Sequence, residues 1–294
     1  MTPRAAVAPA RWCHAGMILV TAAAGMTGRH VLRGLGEAGL PVRAFVRSRA
    51  SVERVEAEGA AEVVVGDMLE PGDVGRAVRG VNGVVHIGPP MHPREIAMGR
   101  NVVDAAAEAG VEHFALMSVV HPQLEPLLNH QAKLEVERHL LGSRLVCTIL
   151  QPMHYAQDVD VPAAVREGVH RQPYSLDRPL SFVDLVDVAE VAARVLAEPS
   201  RHAMATYELC GPDVLTGRQV AEVLSEVSGV AVRAEQLPLQ DVVPQDAPDH
   251  TIDGFTRLFQ HYDRYGILGN SNVLGWLLGR APTGFREYAR RALP

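Results

Sequence analysis

Lys133 is the only lysine in the chain; every other basic residue is arginine. A compact ammonium used once, where arginine serves all other cationic positions, marks a place that needs a point charge with an adjustable proton. A second signature lies near the start. Thr21-Ala22-Ala23-Ala24-Gly25-Met26-Thr27-Gly28 joins an apolar run to a helical stretch beginning near Arg29. Glycines in such a turn let the backbone approach a pyrophosphate, and the helix N-terminus supplies orphan N–H groups and partial positive charge. Gly25 and Gly28 hold the second and third glycine places of G-x-x-G-x-x-G, while Ala22 holds the first. Its Cβ is tolerated if the dihedrals there are ordinary and weakens the site if they are not, because only glycine accepts a positive φ freely. Ala22, Gly25, Met26, Thr27 and Gly28 are therefore the expected dinucleotide contacts.

The second apolar run ends Val46-Arg47-Ser48-Arg49, without the acidic residue that holds a ribose 2′-hydroxyl. Arg47, with Ser48 or Arg49 beside it, favours a 2′-phosphate and so NADP(H) over NAD(H). Asp67 and Met68, after the third run, are expected beside the adenine, with a turn-capping role as the other reading of Asp67. Gly88 and Pro89, after the fourth, are expected near the nicotinamide ribose. His121 follows the fifth run and His130 shares a helix with Lys133; both should face the crevice at the carboxyl ends of the strands, with packing as the rival reading. Met91, His92, His154 and Tyr155 follow the fourth and sixth runs and are candidate substrate contacts. Thirteen histidines form no spaced motif such as H-E-x-x-H, so no metal ligands are assigned. Neither a G-x-S-x-G elbow nor a paired Cys–His signature is present, which leaves hydrolase chemistry unsupported.

The elements that must position these residues alternate. Runs at 17–21, 42–46, 62–65, 83–87, 113–117 and 146–150 read as buried parallel strands, and stretches at 27–39, 50–58, 73–79, 94–109 and 131–142 have crossover-helix length. Gly39, Gly59 and Gly110 supply left-handed helix ends. The expected fold is α/β, a Rossmann-like doubly wound parallel sheet over 17–152. Residues 153–294 read mainly as a smaller substrate lobe, with helices at about 184–198 and 217–228, a strand at 204–209, and segments at about 181–209 returning to the sheet. Its aromatics, from Phe255 to Trp276, read as core or pocket lining. Residues 1–16 lack the apolar h-region of a secretory signal and read as a disordered extension or an upstream-start artefact.

With 47% hydrophobic and 21% charged residues the chain is globular, which excludes collagen-like, coiled-coil and disordered classes. A net charge of -6 gives no field for nucleic acid. Stretches such as 17–24 and 81–90 are too short to cross a bilayer, so no membrane partner is expected. Cys13, Cys147 and Cys210, odd in number and far apart, suit a reducing cytoplasm rather than a disulfide framework. Oligomeric state has no signature here.

Taken in order, TAAAGMTG, AFVRS, VVGDMLEP, MSVVHPQLEPLLNHQAKLEVERHL, TILQPMHY, SFVDLVDVAEVAARVL and GNSNVLGWLLGRAPTGFREYARR make the chain from Met17 onward resemble the NmrA-like branch of the atypical short-chain dehydrogenases/reductases. That resemblance implies a Rossmann-like nucleotide domain, a small C-terminal lobe, NADP preference, and either reduction of small molecules or redox sensing without catalysis. Ordinary short-chain dehydrogenases place a serine after the fifth strand and a Y-x-x-x-K helix beside it. By resemblance Ser118 takes the serine place and Lys133 the lysine place, but the tyrosine place is Asn129, and an amide cannot donate the proton. His130, His121 and Tyr155 are the available substitutes. The leading expectation is an NADPH-dependent reductase of a small, fairly apolar molecule, with Lys133 orienting the ribose and stabilising negative charge while His130 or water supplies the proton. The alternatives are a non-catalytic NADP(H)-sensing regulator with a protein partner, and a non-redox isomerase, cyclase or lyase.

Overall fold

The computed structural model describes residues 16–243 and 246–293; the expectation for residues 1–15 of the extension lies outside them. The first half is a regular alternation of β1 (Ile18–Val20), α1 (Met26–Glu37), β2 (Val42–Val46), α2 (Val52–Ala57), β3 (Glu62–Val65), α3 (Pro71–Val78), β4 (Gly83–Ile87), α4 (Glu95–Glu108), β5 (His113–Met117), α5 (Leu128–Gly142) and β6 (Cys147–Pro152). Then come β7 (His154–Tyr155), α6 (Val161–Glu167), β8 (Val169–Gln172), β9 (Leu180–Val183), α7 (Leu185–Ala197), α8 (Pro199–His202), β10 (Ala205–Leu209), β11 (Val214–Leu215), α9 (Gly217–Ser228), β12 (Arg233–Gln236), α10 (Asp249–Tyr265), α11 (Asn272–Leu278) and α12 (Phe285–Ala292).

Seven parallel strands form the main sheet in the order β10-β6-β5-β4-β1-β2-β3. Alternate side chains feed two cores: Ile18 and Val20 face one with Val31, Leu32 and Leu35 of α1 and Val188 and Val191 of α7, while Leu19 faces the other with Val74, Val102 and Val136. Glycines let the covering helices close. A Cβ on Gly34 of α1 would lie 2.9 Å from Ala189 of α7, and one on Gly99 of α4 would lie 2.5 Å from Val136 of α5. Gly39, Gly59 and Gly110 end their helices with φ of 73°, 97° and 70°, which an L side chain would resist.

Chain order reverses between β1 and β4, so the crevice beyond their carboxyl ends is the switch point where open α/β sheets take ligands. The returning segment expected at 181–209 needs correction at its start. Within that segment β10 rejoins the main sheet, whereas β9 pairs with β7 and β11 in a separate three-stranded sheet. Edge positions there are set by the two-residue strands β7 and β11, which are too short for any periodic signal. α7 begins directly behind β9, capped by Asp184, whose side chain accepts the Val186 N–H.

Candidate dinucleotide and catalytic site

Thr21, fully buried, ends β1 and ties it to β4: its Oγ1 accepts the Ile87 N–H at 2.8 Å and lies 2.9 Å from His86 Nδ1. The turn that follows is tight. Ala22 takes φ 47°, so its dihedrals are not ordinary, and a left-handed L-residue costs about 1–2 kcal/mol. The Ala22 carbonyl accepts the Gly25 N–H at 3.0 Å, and Gly28 presses on the same backbone. A Cβ on Gly28 would stand 2.5 Å from the Ala22 oxygen and 2.7 Å from Ala23 Cα. Gly25 caps α1 without a side chain, and the first helical bond runs from Arg29 N–H to the Gly25 carbonyl at 3.0 Å. The N–H groups of Met26, Thr27 and Gly28 therefore have no intrahelical partner, which is the cradle a phosphate requires.

Arg47 is exposed at the end of β2 and makes no ion pair among the described residues. Ser48 is engaged elsewhere, accepting the Ala50 N–H at 3.2 Å to start the next turn. Asp67 also serves a turn: its Oδ1 accepts the Leu69 N–H at 2.9 Å, and its own N–H goes to Asp73 Oδ2 at 2.9 Å. Met68 packs on the second core, with its carbonyl bonded by Asn101 at 3.0 Å.

At the end of β4 the structure adds a residue that the sequence reading missed. The Lys133 ammonium sits 2.7 Å from Glu95 Oε1 and 3.5 Å from the Gly88 carbonyl. Glu95 is 2% exposed. The contact is an ion pair whose angles are not those of a hydrogen bond, and both Glu95 oxygens lack hydrogen-bond partners. A Cβ on Gly88 would lie 3.0 Å from Glu95 Oε1 and 3.1 Å from Lys133 Nζ, so bare backbone at Gly88 covers the pair; Pro89 follows at the open end. His86, on the same strand, is held neutral: burial, with the Lys133 charge adding to it, lowers it to about 3. In sequence Glu95 looks like any acid in a first helical turn.

The other catalytic candidates are less free. Ser118 donates its hydroxyl to buried Glu137 at 2.5 Å, an oxygen that Gln151 also bonds at 2.9 Å. His130 is 1% exposed, with Nδ1 3.0 Å from the His121 carbonyl and Nε2 without a partner. Since only Nδ1–H can satisfy a carbonyl, Nε2 carries the lone pair. Burial, partly offset by that bond, lowers His130 to about 4. A neutral ring with its one N–H engaged is not a proton donor at neutral pH, which corrects the expectation for His130 as an acid. His121, at φ 50°, places Nε2 2.9 Å from the Leu268 carbonyl and Nδ1 3.5 Å from Glu208; it ties the β5–α5 loop to the C-terminal lobe. Asn129, at the tyrosine place, carries a buried carbonyl oxygen without a partner.

Of the substrate candidates, Met91 and His92 make local contacts. Met91, buried at φ 59°, accepts Thr251 Oγ1–H on its carbonyl at 3.0 Å, and its sulfur stands where a Cβ on Gly254 would be 2.6 Å away. His92 Nδ1 accepts the Arg94 N–H at 3.1 Å. His154 packs on an aromatic cluster of the core. The His154 ring meets Tyr174, Phe182 and Tyr262 edge-on at centroid distances of 6.4, 5.3 and 5.8 Å, and burial lowers its pKa against the pull of Asp158. Asp158 lies 3.7 Å from His154 Nδ1, with its side chain 44% exposed. Tyr155 has the Thr27 side chain of the glycine turn as its polar neighbour, and burial pushes the hydroxyl's pKa up. A separate groove of about 620 Å³ lies between α1, α7 and α12, outside the crevice. Its arginines 33, 194 and 291 are already paired with Glu58, Glu190 and Asp184.

A model of the NmrA-like family matches residues 14–289. The chain is 29% identical over 281 residues to the NAD(P)H azoreductase of Xenophilus azovorans, covering 93% of this chain and 97% of that one. It is 34% identical over 228 residues to the (4-alkanoyl-5-oxo-2,5-dihydrofuran-3-yl)methyl phosphate reductase of Streptomyces griseus, covering 75% and 77%. The crystal structure of the NADPH-dependent quinone oxidoreductase of Escherichia coli complexed with NADPH superposes with a TM-score of 0.78 at 28% identity, covering 94% of this chain and 99% of that one. Among the described residues no group of three or more His, Cys, Asp or Glu could hold a metal, and no helix is long and apolar enough to cross a membrane.

Proposed function

The chain belongs to the NmrA-like family, and on that premise we propose that it is an NADPH-dependent reductase of small, planar, conjugated acceptors. One observation carries the cofactor half of the reading: the amides of Met26, Thr27 and Gly28 at the start of α1 have no intrahelical partner, and Gly28, lacking a Cβ, lets that helix start sit close against the Ala22–Ala23 turn. Arg47, exposed and unpaired among the described residues, is the cation for a 2′-phosphate. Bound there, NADPH supplies a hydride at its nicotinamide ring. Met26, Thr27 and Gly28 would hold the pyrophosphate, and Lys133 and the Gly88–Pro89 backbone the nicotinamide ribose. Met68 and the Asp67 turn would border the adenine.

Asn129 at the place of the acid favours an acceptor that needs none. A ketone becomes a strongly basic alkoxide as hydride arrives and needs an acid in place. A quinone becomes a phenol-like anion, whose conjugate acid lies near the ~10 of a tyrosine, and water protonates it without help. The Lys133 ammonium stabilises the developing charge, and the half-buried His154 and Tyr155, with Tyr174 and Tyr262 packed behind His154, are the side chains that would meet a flat apolar ring. The names of the azoreductase and the quinone oxidoreductase support the same class. Calorimetric titration with NADPH and NADH, on the wild type and on Arg47→Ala, tests the cofactor half. Preference for NADPH that Arg47→Ala reduces at least about tenfold is expected from the loss of one charge-assisted phosphate contact, whereas no binding of either dinucleotide refutes the reading. NADPH oxidation by a simple quinone, abolished or strongly slowed in Lys133→Met, is the expected second result.

A further inference from the structure

We propose that Glu95 is a positioning residue of this site, its buried carboxylate fixing both the place and the charge of the Lys133 ammonium. The proposal rests on reading the crevice as the dinucleotide site. Glu95 is 2% exposed, and a carboxylate is not stable in such a place without a compensating cation. Among the described residues its one charged neighbour at contact distance is Lys133, with Nζ 2.7 Å away. No backbone amide or hydroxyl shares the load, since neither oxygen has a hydrogen-bond partner. A carboxylate serving α4 as a cap would accept backbone N–H groups; this one is aimed at the ammonium instead.

Everything around the pair leaves the ammonium dependent on Glu95. From β4, Gly88 offers a carbonyl at 3.5 Å, and His86 is held neutral by burial and by the Lys133 charge itself. From α5, Glu137 lies one turn beyond Lys133, but its Oε1 already takes Ser118 and Gln151. Asn129, one turn before, is an amide. Among these groups Glu95 alone brings a negative charge into contact, and it comes from α4, a different helix from the one that carries the lysine. Removing the charge while keeping the shape should let the partly buried amine lose its proton more readily, because an unpaired ammonium is disfavoured by desolvation.

Since Lys133 is the only lysine in the chain, its ε-amine can be followed without ambiguity. The experiment is acylation of the folded protein by acetic anhydride across a pH series without cofactor, with Lys133 read by peptide mass spectrometry, for the wild type, Glu95→Gln and Glu95→Asp. The expected result is a Glu95→Gln amine that reacts at least about tenfold faster at neutral pH, with its half-rate pH lower by about one unit or more. Glu95→Asp should return toward the wild type. Circular dichroism melting of each variant sets a labelling temperature at which all are folded. A Glu95→Gln protein that melts lower but keeps the wild-type half-rate pH overturns the proposal, because a packing role moves stability and not the titration of the amine. Protection of Lys133 by NADPH is measured alongside. Its absence counts against the dinucleotide reading, while the half-rate shift judges Glu95 independently.

Discussion

Gly28→Ala should damage both the stability of the protein and its affinity for NADPH. The added Cβ would stand 2.5 Å from the Ala22 carbonyl oxygen, and 2.7 Å from both the Cα and the carbonyl oxygen of Ala23. Ordinary contact begins at 3.4 Å, so the start of α1 must retreat by about 0.9 Å, the difference between that limit and the closest approach. The obstacles are backbone atoms of a turn already strained at Ala22, φ 47°, and they cannot rotate aside as a flexible side chain would. Overpacking of this kind costs about 1–3 kcal/mol, and at roughly 2–4 °C per kcal/mol for a chain of this size the melting temperature should fall by about 2–12 °C. The same retreat moves the Met26, Thr27 and Gly28 amides together. A hydrogen bond near 2.9 Å does not survive such a shift, and losing even one charge-assisted contact, worth about 1.5–3 kcal/mol, lowers affinity by roughly 10–100-fold. Gly36→Ala is the control in the same helix, for a Cβ there meets nothing within 4 Å and should raise stability by about 0.5–1 kcal/mol. Circular dichroism melting and NADPH calorimetry on both variants read the outcome. Wild-type melting and affinity in Gly28→Ala, or equal loss in Gly36→Ala, would refute the close-approach argument.

Stability should fall in acid through buried histidines. His86 is lowered to about 3, and His113 and His130 to about 4, all chiefly by burial. The unfolded chain takes up protons at these rings near pH 6.5 and the native one only near pH 4 or 3, so their contribution is complete above about pH 6.5 and is lost as pH falls below it. A ring lowered to about 4 forfeits on the order of 3 kcal/mol by pH 4; urea midpoints from pH 7 to 4.5 should decline, less steeply in His113→Gln, and a flat series would contradict the assignment. Asp187→Ala should cost about 3 kcal/mol, because fully buried Asp187 accepts from Arg280 at 2.7 Å and from the Thr283 N–H and hydroxyl at 2.6 and 3.0 Å; denaturant unfolding that leaves the midpoint unchanged would show those bonds to be dispensable. Ala22→Gly relieves a left-handed alanine but loosens the unfolded chain, so a net gain of about 0.5–1 kcal/mol is expected, with NADPH affinity kept or improved. Loss of affinity in that variant would mean that the Ala22 Cβ contributes to the site.

The strands of the first half were legible because each is a short apolar run closed by a turn signal. Val42–Val46, Glu62–Val65, Gly83–Ile87 and His113–Met117 fall where the pattern puts them. The lobe was less legible for a physical reason. Leu180–Val183 is buried at every position, as a strand of the main sheet would also be, and its partners, two-residue strands at 154–155 and 214–215, leave no pattern to decide between the two sheets. The sequence poses the question of strain at Ala22, and only the dihedral, φ 47°, supplies the strain. The ring nitrogens of His121 and His130, at 2.9 and 3.0 Å from the Leu268 and His121 carbonyls, tie the β5–α5 loop to the lobe and to α5. A histidine's place on an element is readable from spacing; the partner that takes its N–H is not.

Glu95 shows the same limit more sharply. A carboxylate in the first turn of an amphipathic helix has an ordinary explanation in the helix dipole, and nothing local separates Glu95 from Glu53 at the start of α2. What separates them is long-range: the crossing of α4 and α5 on one face of the sheet, permitted where Gly99 admits Val136, brings the lysine of one helix against the acid of the other beneath the glycine that ends β4. The lone lysine announced that a cation was required somewhere along this crevice. Only the packing of two helices through a missing methyl group says which carboxylate answers it, and that is why the ammonium, the glycine and the acid have to be tested as one unit.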